Sequence, residues 1–516
     1  MKARLFSLVS LCLLLAFGTG VGADDQSHRR LEATIRFLAD DLLEGRGTPG
    51  RGLDLAALYL ASELRAAGWE PGDGDDYFQT YVLRDFSPQR ARYKISLHGV
   101  PLDRQDFIFL PIGLDPALTP LRYDLVFVGH GIAAPERGVD DYASVDIRGK
   151  AVVALLGAPW EPDPKAVHAY DRAVGKSTQV TVRNGAFLIY VSEEFVEPAG
   201  SSVSAEVPFF REMSHVPLSY LPEFQGRPTM GLGPILVITP SVFDRTLART
   251  AGGTYAEWKA RLADHAPEAR ALNATLEVTI EAEPRESPAS NVVAMLPGSD
   301  PALQDEWVVL TAHYDHLGFR EVGAGQDGIW NGADDNASGT AAVLEIARRL
   351  AAGEPPKRSV LVLFTSGEDR GLLGSAHYSL HPLVPYDRVV VNINVDMVGR
   401  STGTVQGIAP GSDDLFAKAV EIGRRHGVTV QPDQEPTWRL VYFLDSYHFA
   451  RFGTPFIEFF TGLHKDYHQP SDEVQFIRYE ELNRIFQAMY ELADYYAQGG
   501  KKPTFQRPKW FLTVSQ

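Results

Sequence analysis

The sequence predicts an α/β fold in which a mostly parallel mixed sheet is flanked by helices and a β-rich unit is inserted. From Asn291 onward, continuous apolar strands alternate with helical segments, which is typical of a parallel sheet covered on both faces. Between Asp85 and Pro284, short β runs alternate with Gly and Pro loops, as expected for a separate β-rich unit. The 516 residues also exceed the roughly 100–200 residues of one compact core.

The first 23 residues have the pattern of a cleaved secretory signal. Lys2 and Arg4 precede an apolar run of roughly a dozen residues, and residues 21–23 are small. The run is shorter than the ~20 residues of a membrane span. We therefore expect export to the periplasm or the exterior after cleavage near Ala23, with no stable membrane anchor. The only cysteine, Cys12, lies in this segment, so disulfides are not expected in the mature chain.

Two amphipathic helices are predicted to open the mature chain. Apolar residues recur at helical spacing in two segments separated by a Gly-rich stretch. They are Leu31, Ile35, Leu38 and Leu42 in the first segment, and Leu53, Ala57, Leu60 and Leu64 in the second.

The charge of the chain argues against two classes of partner. The formal net charge is −17, and loss of the two positive charges of Lys2 and Arg4 would make it −19. Such an acidic protein is a poor partner for nucleic acid or an anionic membrane. The sequence leaves the oligomeric state open.

Five polar clusters occur among the strands and helices of the second half. Four of them lie at or just after the carboxyl end of an apolar strand, the edge of an α/β sheet where ligands bind. The other opens a helix, where backbone N–H groups favour acidic side chains. The clusters are HYDH (313–316), NGADDNASG (331–339), SGEDRGLLGS (366–375), NVDMVGR (394–400) and HKDYHQPSDE (464–473).

The side chains of these clusters predict a metal centre. Imidazole and carboxylate groups suit Zn²⁺, or Co²⁺ or Mn²⁺ at similar sites, whereas Mg²⁺ and Ca²⁺ prefer all-oxygen ligands. The carboxylates of Asp334, Asp369 and Asp396 together with one bridging hydroxide would neutralise two divalent ions, with His313 and His468 neutral. A single ion would leave buried negative charge unpaired, which is costly.

Each cluster alone has an ordinary structural explanation. The HYDH stretch could be a strand-end pair, and ADDNASG could be a helix N-cap. Only the occurrence of all five together makes the metal centre the better interpretation. The sequence contains no His-Glu-x-x-His, no Gly-x-Ser-x-Gly and no complete phosphate loop, so serine and nucleotide chemistries lack support.

The order of these motifs resembles the M28 family of co-catalytic zinc aminopeptidases, over about residues 290–498. The β-rich middle, especially residues 125–159, resembles the protease-associated domain that many members carry as an insert. The resemblance implies an organisation in five parts: a signal peptide (1–23), the N-terminal part of the catalytic domain (24–95), a protease-associated insert (96–284), the main di-metal peptidase domain (285–500) and a C-terminal tail (501–516).

The resemblance also implies roles for individual residues. Asp334 would bridge two zinc ions, with His313 and Asp396 ascribed to one ion and Asp369 and His468 to the other. Two residues match the catalytic pattern: Glu368 corresponds to the general base, and Asp315 to the carboxylate that orients His313. Asp335 matches the residue after the bridge, where the family carries a cis peptide. The sequence departs from many relatives in having Glu368-Asp369 for Glu-Glu, and LDSYHF at 444–449 for a Ser-Asp-His segment.

The expected function is that of an exported aminopeptidase that hydrolyses the first peptide bond of substrates with a free amino terminus. Two zinc ions would hold a bridging hydroxide, and Co²⁺ or Mn²⁺ could substitute. One alternative is a carboxypeptidase or dipeptidase of the same family, for which Arg400 or Arg439 could bind the substrate carboxylate. Others are a one-zinc glutaminyl cyclase and a metal-free, receptor-like relative without catalysis.

Overall fold

The structure is a computed structural model that describes residues 23–511, apart from 89, 135–136, 159, 161–172, 194–217, 264–267, 324 and 435–439. Residues 1–22 of the predicted signal peptide therefore lie outside the described residues. Within the described part of the chain, no helix combines the length and the apolar character needed to cross a bilayer.

The larger of two main sheets confirms the predicted α/β class and its mixed sheet. Its four central strands run parallel because helices connect them, and antiparallel strands extend the sheet on both sides. Glu70–Pro71 pairs with one of the outer strands. The order across the sheet is Leu218–Tyr220, Phe78–Phe86, Arg285–Leu296, Ser359–Thr365, Trp307–His313, Val389–Val395, Phe456–Phe460, Thr404–Ile408 and Thr429–Gln431.

Both faces of this sheet are covered, which explains why its central strands are apolar throughout. Leu310 and Val362 point to one face, whereas Val309 and Leu361 point to the other, and all four are fully buried. Leu373–Leu380 and Tyr447–Ala450 pack on the second face. The helices on the first face are Ala23–Leu38, Arg51–Ala66, Gly339–Ala352, Asp413–Arg425 and Tyr479–Ala497.

A second, eight-stranded sheet forms the β-rich part of the chain. Helix Ala173–Val182 packs on one of its faces. Pro240–Thr246, Ala248–Ala251 and Tyr255–Leu262 pack on the other, around the buried indole of Trp258. Its strands, in order, are Val100–Pro101, Arg92–Leu97, Arg270–Glu281, Leu121–Phe127, Ala151–Leu155, Phe187–Val191, Ile235–Ile238 and Phe107–Leu110.

Short elements complete the fold. Two small antiparallel pairs are Gly318–Phe319 with Ile329–Trp330, and Ala133–Ala134 with Val139–Asp140. Short helical segments among the described residues include Asp41–Arg46, Arg104–Asp106, Pro116–Leu118, Pro222–Phe224, Ala333–Ser338, Tyr386–Arg388, Leu440–Phe443 and Val474–Phe476.

The first predicted helix ends earlier than the apolar spacing suggested. It stops at Leu38, and the Asp40 side chain then accepts a hydrogen bond from Leu42 N–H at 2.9 Å, which starts the turn Asp41–Arg46. Leu42 is consequently 80% exposed instead of lying on the buried helix face. The turn carries the chain back toward the main sheet, where Arg46 becomes fully buried.

Candidate metal centre

Three parallel strands end at one edge of the main sheet and bring three predicted ligands there. His313 is the last residue of its strand, and Asp396 directly follows the neighbouring strand. Asp369 lies in the loop after the strand on the other side. Because the carboxyl ends of parallel strands share one edge, residues far apart in sequence meet there.

Asp335 lies at the centre of the cluster. Its Oδ1 is 3.4 Å from His313 Nε2, and its Oδ2 is 3.3 Å from His468 Nε2. His313 Nε2 is also 3.3 Å from Asp396 Oδ1, and His468 Nε2 is 3.1 Å from Asp369 Oδ1. The two oxygens of one carboxylate therefore face two separate His–Asp pairs. Ligand atoms of His313, Asp335 and Asp369 all lie within 4.8 Å of one another.

Asp334, the predicted bridge, has different surroundings. Its Oδ1 accepts hydrogen bonds from Gly399 N–H at 2.6 Å and from the Ser338 hydroxyl at 2.9 Å, and its Oδ2 lies 3.2 Å from His464 Nε2. The structure thus differs from the prediction at this position. Because the helical turn Ala333–Ser338 is kinked at Asp335, the neighbouring carboxylates have separate partners. The peptide bond from Asp335 to residue 336 is cis.

His316, the second histidine of HYDH, had no predicted role but joins the cluster. It is fully buried, and its Nδ1 lies 2.9 Å from Asp369 Oδ2 and 3.7 Å from Asp335 Oδ2. Gly332 makes room for it: φ is 58°, and an added Cβ would lie 2.1 Å from the Asp335 carbonyl oxygen and 2.6 Å from the His316 ring. This position therefore requires glycine.

Asp315 connects His313 to the loop that carries Glu368. Its Oδ1 lies 3.7 Å from His313 Nδ1 and accepts a hydrogen bond from Glu368 N–H at 3.2 Å. Its Oδ2 accepts a hydrogen bond from the Thr48 hydroxyl at 3.0 Å. His313 therefore presents Nε2 to Asp335 while Nδ1 lies beside a carboxylate, as is usual for a metal-binding histidine.

Asp472 holds the turn that bears the central carboxylate. Its Oδ2 accepts hydrogen bonds from the N–H groups of Asp334 and Asp335, at 2.9 and 3.0 Å. Its Oδ1 accepts a hydrogen bond from Arg400 Nη2 at 2.8 Å. Asp472 is fully buried, so these donors compensate for the water that its carboxylate loses.

Arg46 connects the N-terminal part of the chain to the same region. Its guanidinium donates hydrogen bonds to the carbonyl oxygens of Tyr314 at 2.9 Å, Asn331 at 2.7 Å and Gly332 at 3.0 Å, and to that of Leu38. Burial lowers the pKa of Arg46 to about 10, against the opposing influence of nearby aspartates, so it is a cation at neutral pH. The buried guanidinium of Arg46 thus holds together the loop that carries Tyr314 and the loop that carries Asn331 and Gly332.

The carboxyl groups of the cluster differ in how their pKa values are shifted. Burial raises the pKa of Glu368 well above its ordinary value, against the opposing influence of His313, and it also raises the pKa of Asp396. Burial acts in the same direction on Asp335, but the surrounding imidazoles hold its pKa well below the ordinary value. Against burial, the imidazoles of His316 and His468 also hold the pKa of Asp369 below its ordinary value, so the neighbours of Asp335 and Asp369 keep both carboxylates ionised.

Two further buried carboxyl groups lie near the cluster and had no predicted role. Asp445 accepts a hydrogen bond from the Thr365 hydroxyl at 2.5 Å, and Glu458 accepts one from Asn394 Nδ2 at 2.6 Å. Burial raises the pKa of both groups. A glutamate inside the apolar strand Phe456–Phe460 was a visible signal in the sequence, because isolated charges are rarely buried.

The sequence also matches known proteins. Residues 291–493 match the family model described as Peptidase family M28. A probable zinc metalloprotease of Pyrenophora tritici-repentis is 35% identical over 139 residues, which cover 25% of this chain and 28% of that protein. Aminopeptidase YwaD of Bacillus subtilis is 40% identical over 95 residues, which cover 18% of each chain. The chain thus spans less than a third of the length of these two relatives.

Among solved structures, the aminopeptidase from Aneurinibacillus sp. strain AM-1 is similar over 96% of this chain and 98% of its own. The sequence identity is 17% and the TM-score is 0.46.

Replacement of Arg46 by methionine should destabilise the protein by about 3–5 kcal/mol, because it leaves buried carbonyl groups without donors and removes a buried cation beside several carboxylates. Urea unfolding measures this loss. The matched control is Arg36→Met on the exposed face of the first helix, where Arg36 pairs with Glu32 at 2.9 Å; its effect should stay within about 0.5 kcal/mol. Equal midpoints for the two variants would contradict the role of Arg46.

Proposed function

We propose that this chain, whose residues 291–493 match the model of peptidase family M28 and which resembles a probable zinc metalloprotease, is a di-zinc aminopeptidase. The substrate would be a peptide with a free amino terminus, and the product its first residue. Export, with the N-terminal signal removed, is part of the proposal, as is the assignment of the β-rich unit to the protease-associated class.

The observation that carries the proposal is the arrangement of donors around Asp335. Two imidazoles and three carboxylates converge there, and this is a donor set typical of zinc. His468 Nε2 is buried and makes no hydrogen bond of good geometry, although two carboxylates lie within 3.3 Å. A histidine nitrogen that faces two carboxylates without a hydrogen bond to either is expected of a metal ligand. The cation would lie between the nitrogen and the carboxylates. The residues present therefore suit the metal.

The distances also suggest how the ligands would be divided between two ions. His313 and Asp396 would hold one ion, and His468 and Asp369 the other, as the motif order implied. Asp335, in place of the predicted Asp334, would be shared between them, because its two oxygens face the two pairs separately. Two divalent cations would also balance the negative charge of three buried carboxylates and one hydroxide.

Bound zinc would supply an acidified water and polarise the scissile carbonyl. Glu368 would take the proton of that water and pass it to the leaving amine. A carboxyl group beside the proposed ions suits both steps, because it accepts a proton as a carboxylate and returns it as an acid. Asp315 would keep the His313 ring in place through its contact with Nδ1.

The arginine that could serve a carboxypeptidase already has partners. Arg400 lies 2.8 Å from Asp472 and 3.3 Å from Asp466, and its side chain is 14% exposed. It is thus poorly placed to bind the carboxylate of a substrate. Arg439 lies outside the described residues. The aminopeptidase is the better supported proposal, with the carboxypeptidase as its alternative.

Replacement of Asp335 by asparagine should remove at least one of two zinc ions per chain, because a neutral amide is a weaker ligand and leaves the charge unbalanced. Elemental analysis after removal of free metal measures the zinc content. Asp334→Asn is the matched control, since an amide oxygen can still accept the hydrogen bonds from Gly399 and Ser338. If Asp334→Asn lost zinc and Asp335→Asn kept it, the bridge would be Asp334.

Replacement of Glu368 by glutamine should lower kcat by ~10²–10⁴-fold, because the shape is kept and only the proton acceptor is lost. Zinc content should remain that of the wild type. The control is Glu321→Gln, an exposed glutamate outside the cluster, which should leave turnover unchanged. A Glu368→Gln enzyme with wild-type turnover would show that another group transfers the proton.

Blocked dipeptides separate the aminopeptidase from its alternative. A dipeptide with a free amine should be cleaved whether or not its carboxyl group is amidated, and acetylation of the amine should abolish cleavage. Amino acid release, followed by chromatography, measures this. A carboxypeptidase would show the reverse dependence, and a receptor-like protein would cleave none of the three.

A further inference from the structure

A second group of potential metal ligands lies outside the candidate centre, at the end of helix Leu373–Leu380. His377 belongs to the last turn of this helix, and His381 follows it. Residues four apart in a helix lie on the same side, so the two imidazoles are neighbours, with ring centroids 4.6 Å apart.

The third donor comes from a distant part of the chain. Glu223 lies in the turn Pro222–Phe224, and its two carboxylate oxygens lie 2.9 Å from His377 Nδ1 and 2.9 Å from His381 Nε2. One donor atom from each of the three residues lies within 4.8 Å of the others. The carboxylate thus closes a triangle with two imidazole nitrogens.

Neighbouring contacts hold the three donors in place. The His377 ring stacks on Tyr81 at 5.1 Å, and the Tyr81 hydroxyl donates a hydrogen bond to the Ser366 carbonyl at 3.0 Å. Gln79 Nε2 donates a hydrogen bond to the His381 carbonyl oxygen at 2.8 Å. Phe224, next to Glu223, is buried in an apolar cluster. Rigid support on each side favours a preformed site.

The three donor side chains differ in how much they are exposed to solvent. The side chain of His377 is 11% exposed, that of Glu223 30% and that of His381 55%. A cation could therefore enter from the side of His381, and a water molecule could complete its coordination there.

We propose that His377, His381 and Glu223 form a second cation site, which binds one Zn²⁺ or a similar transition-metal ion. Two histidines and one glutamate, with a fourth position for water, form a recognised zinc ligand set. Ligand atoms on tetrahedral zinc are ~3.4 Å apart, and one donor atom of each residue lies within 4.8 Å of the other two, so an ion would need to draw the three side chains only slightly together. The ion would link the turn Pro222–Phe224 to helix Leu373–Leu380.

The competing interpretation is a metal-free triad in which two neutral imidazoles donate hydrogen bonds to Glu223. The cation site predicts that the three residues bind zinc, whereas the hydrogen-bonded triad predicts that they do not. Zinc binding can be measured without any assay of activity. A His313→Ala/His316→Ala/His468→Ala background removes the three imidazoles that contact Asp335 and Asp369 in the candidate centre, and it isolates the second site. Calorimetric titration of this background with ZnCl₂ should show one ion per chain.

Addition of His381→Gln to the background should weaken zinc binding at least tenfold, since one of three protein ligands is lost. His426→Gln is the matched control, because His426 pairs with Glu491 at 2.6 Å elsewhere and its loss leaves the three donors intact. Zinc should also raise the Tm of the background and of the His426 variant, but not that of the His381 variant.

Absence of zinc binding in a folded background, or equal affinity with and without His381, would leave the hydrogen-bonded triad as the correct description. Should the background fail to fold, as judged by circular dichroism, the same question is answered in the otherwise unchanged chain. Zinc per chain should then fall by one in His381→Gln and stay unchanged in His426→Gln. An unchanged zinc content in both variants would overturn the proposal.

Discussion

The structure depends on the burial of many carboxyl groups at one edge of the main sheet. Asp315, Asp334, Asp335, Asp396 and Asp472 are all buried within the same region. An unpaired buried carboxylate is costly, so each of them needs a hydrogen-bond donor or a cation. Much of the surrounding architecture supplies such partners, and the proposed metal ions would supply the remaining positive charge.

The supporting donors are residues that are not themselves predicted ligands. Arg46 arrives from the N-terminal turn, Thr48 contacts Asp315, and Arg400 contacts Asp472. Backbone N–H groups complete the shell, as at Asp334, where Gly399 donates. The opening helices are therefore more than a cover for the sheet, because the turn Asp41–Arg46 between them reaches the edge with the candidate centre and stabilises it.

The segment after strand Ser359–Thr365 links two groups of possible ligands. Its loop carries Glu368 and Asp369, and the helix that follows ends at the imidazoles that face Glu223. The turn that bears Glu223 adjoins strand Leu218–Tyr220, which joins the edge of the main sheet. This turn, which lies in sequence between two strands of the second sheet, thus contacts the end of helix Leu373–Leu380 beside the main sheet.

The sequence by itself determined the fold class, and it predicted two opening helices and the edge at which His313, Asp369, Asp396 and His468 meet, because periodicity and strand ends are local properties. The sequence analysis assigned the bridge to Asp334, whereas the structure places Asp335 between the imidazoles. Adjacent carboxylates look equivalent in a motif, and only the partners across the turn, such as Gly399, decide which one faces the imidazoles. The contacts of Arg46 and Glu223 were equally hidden, because they join segments far apart in the chain. Tertiary structure decided these points, since burial and charge compensation depend on which groups meet in space.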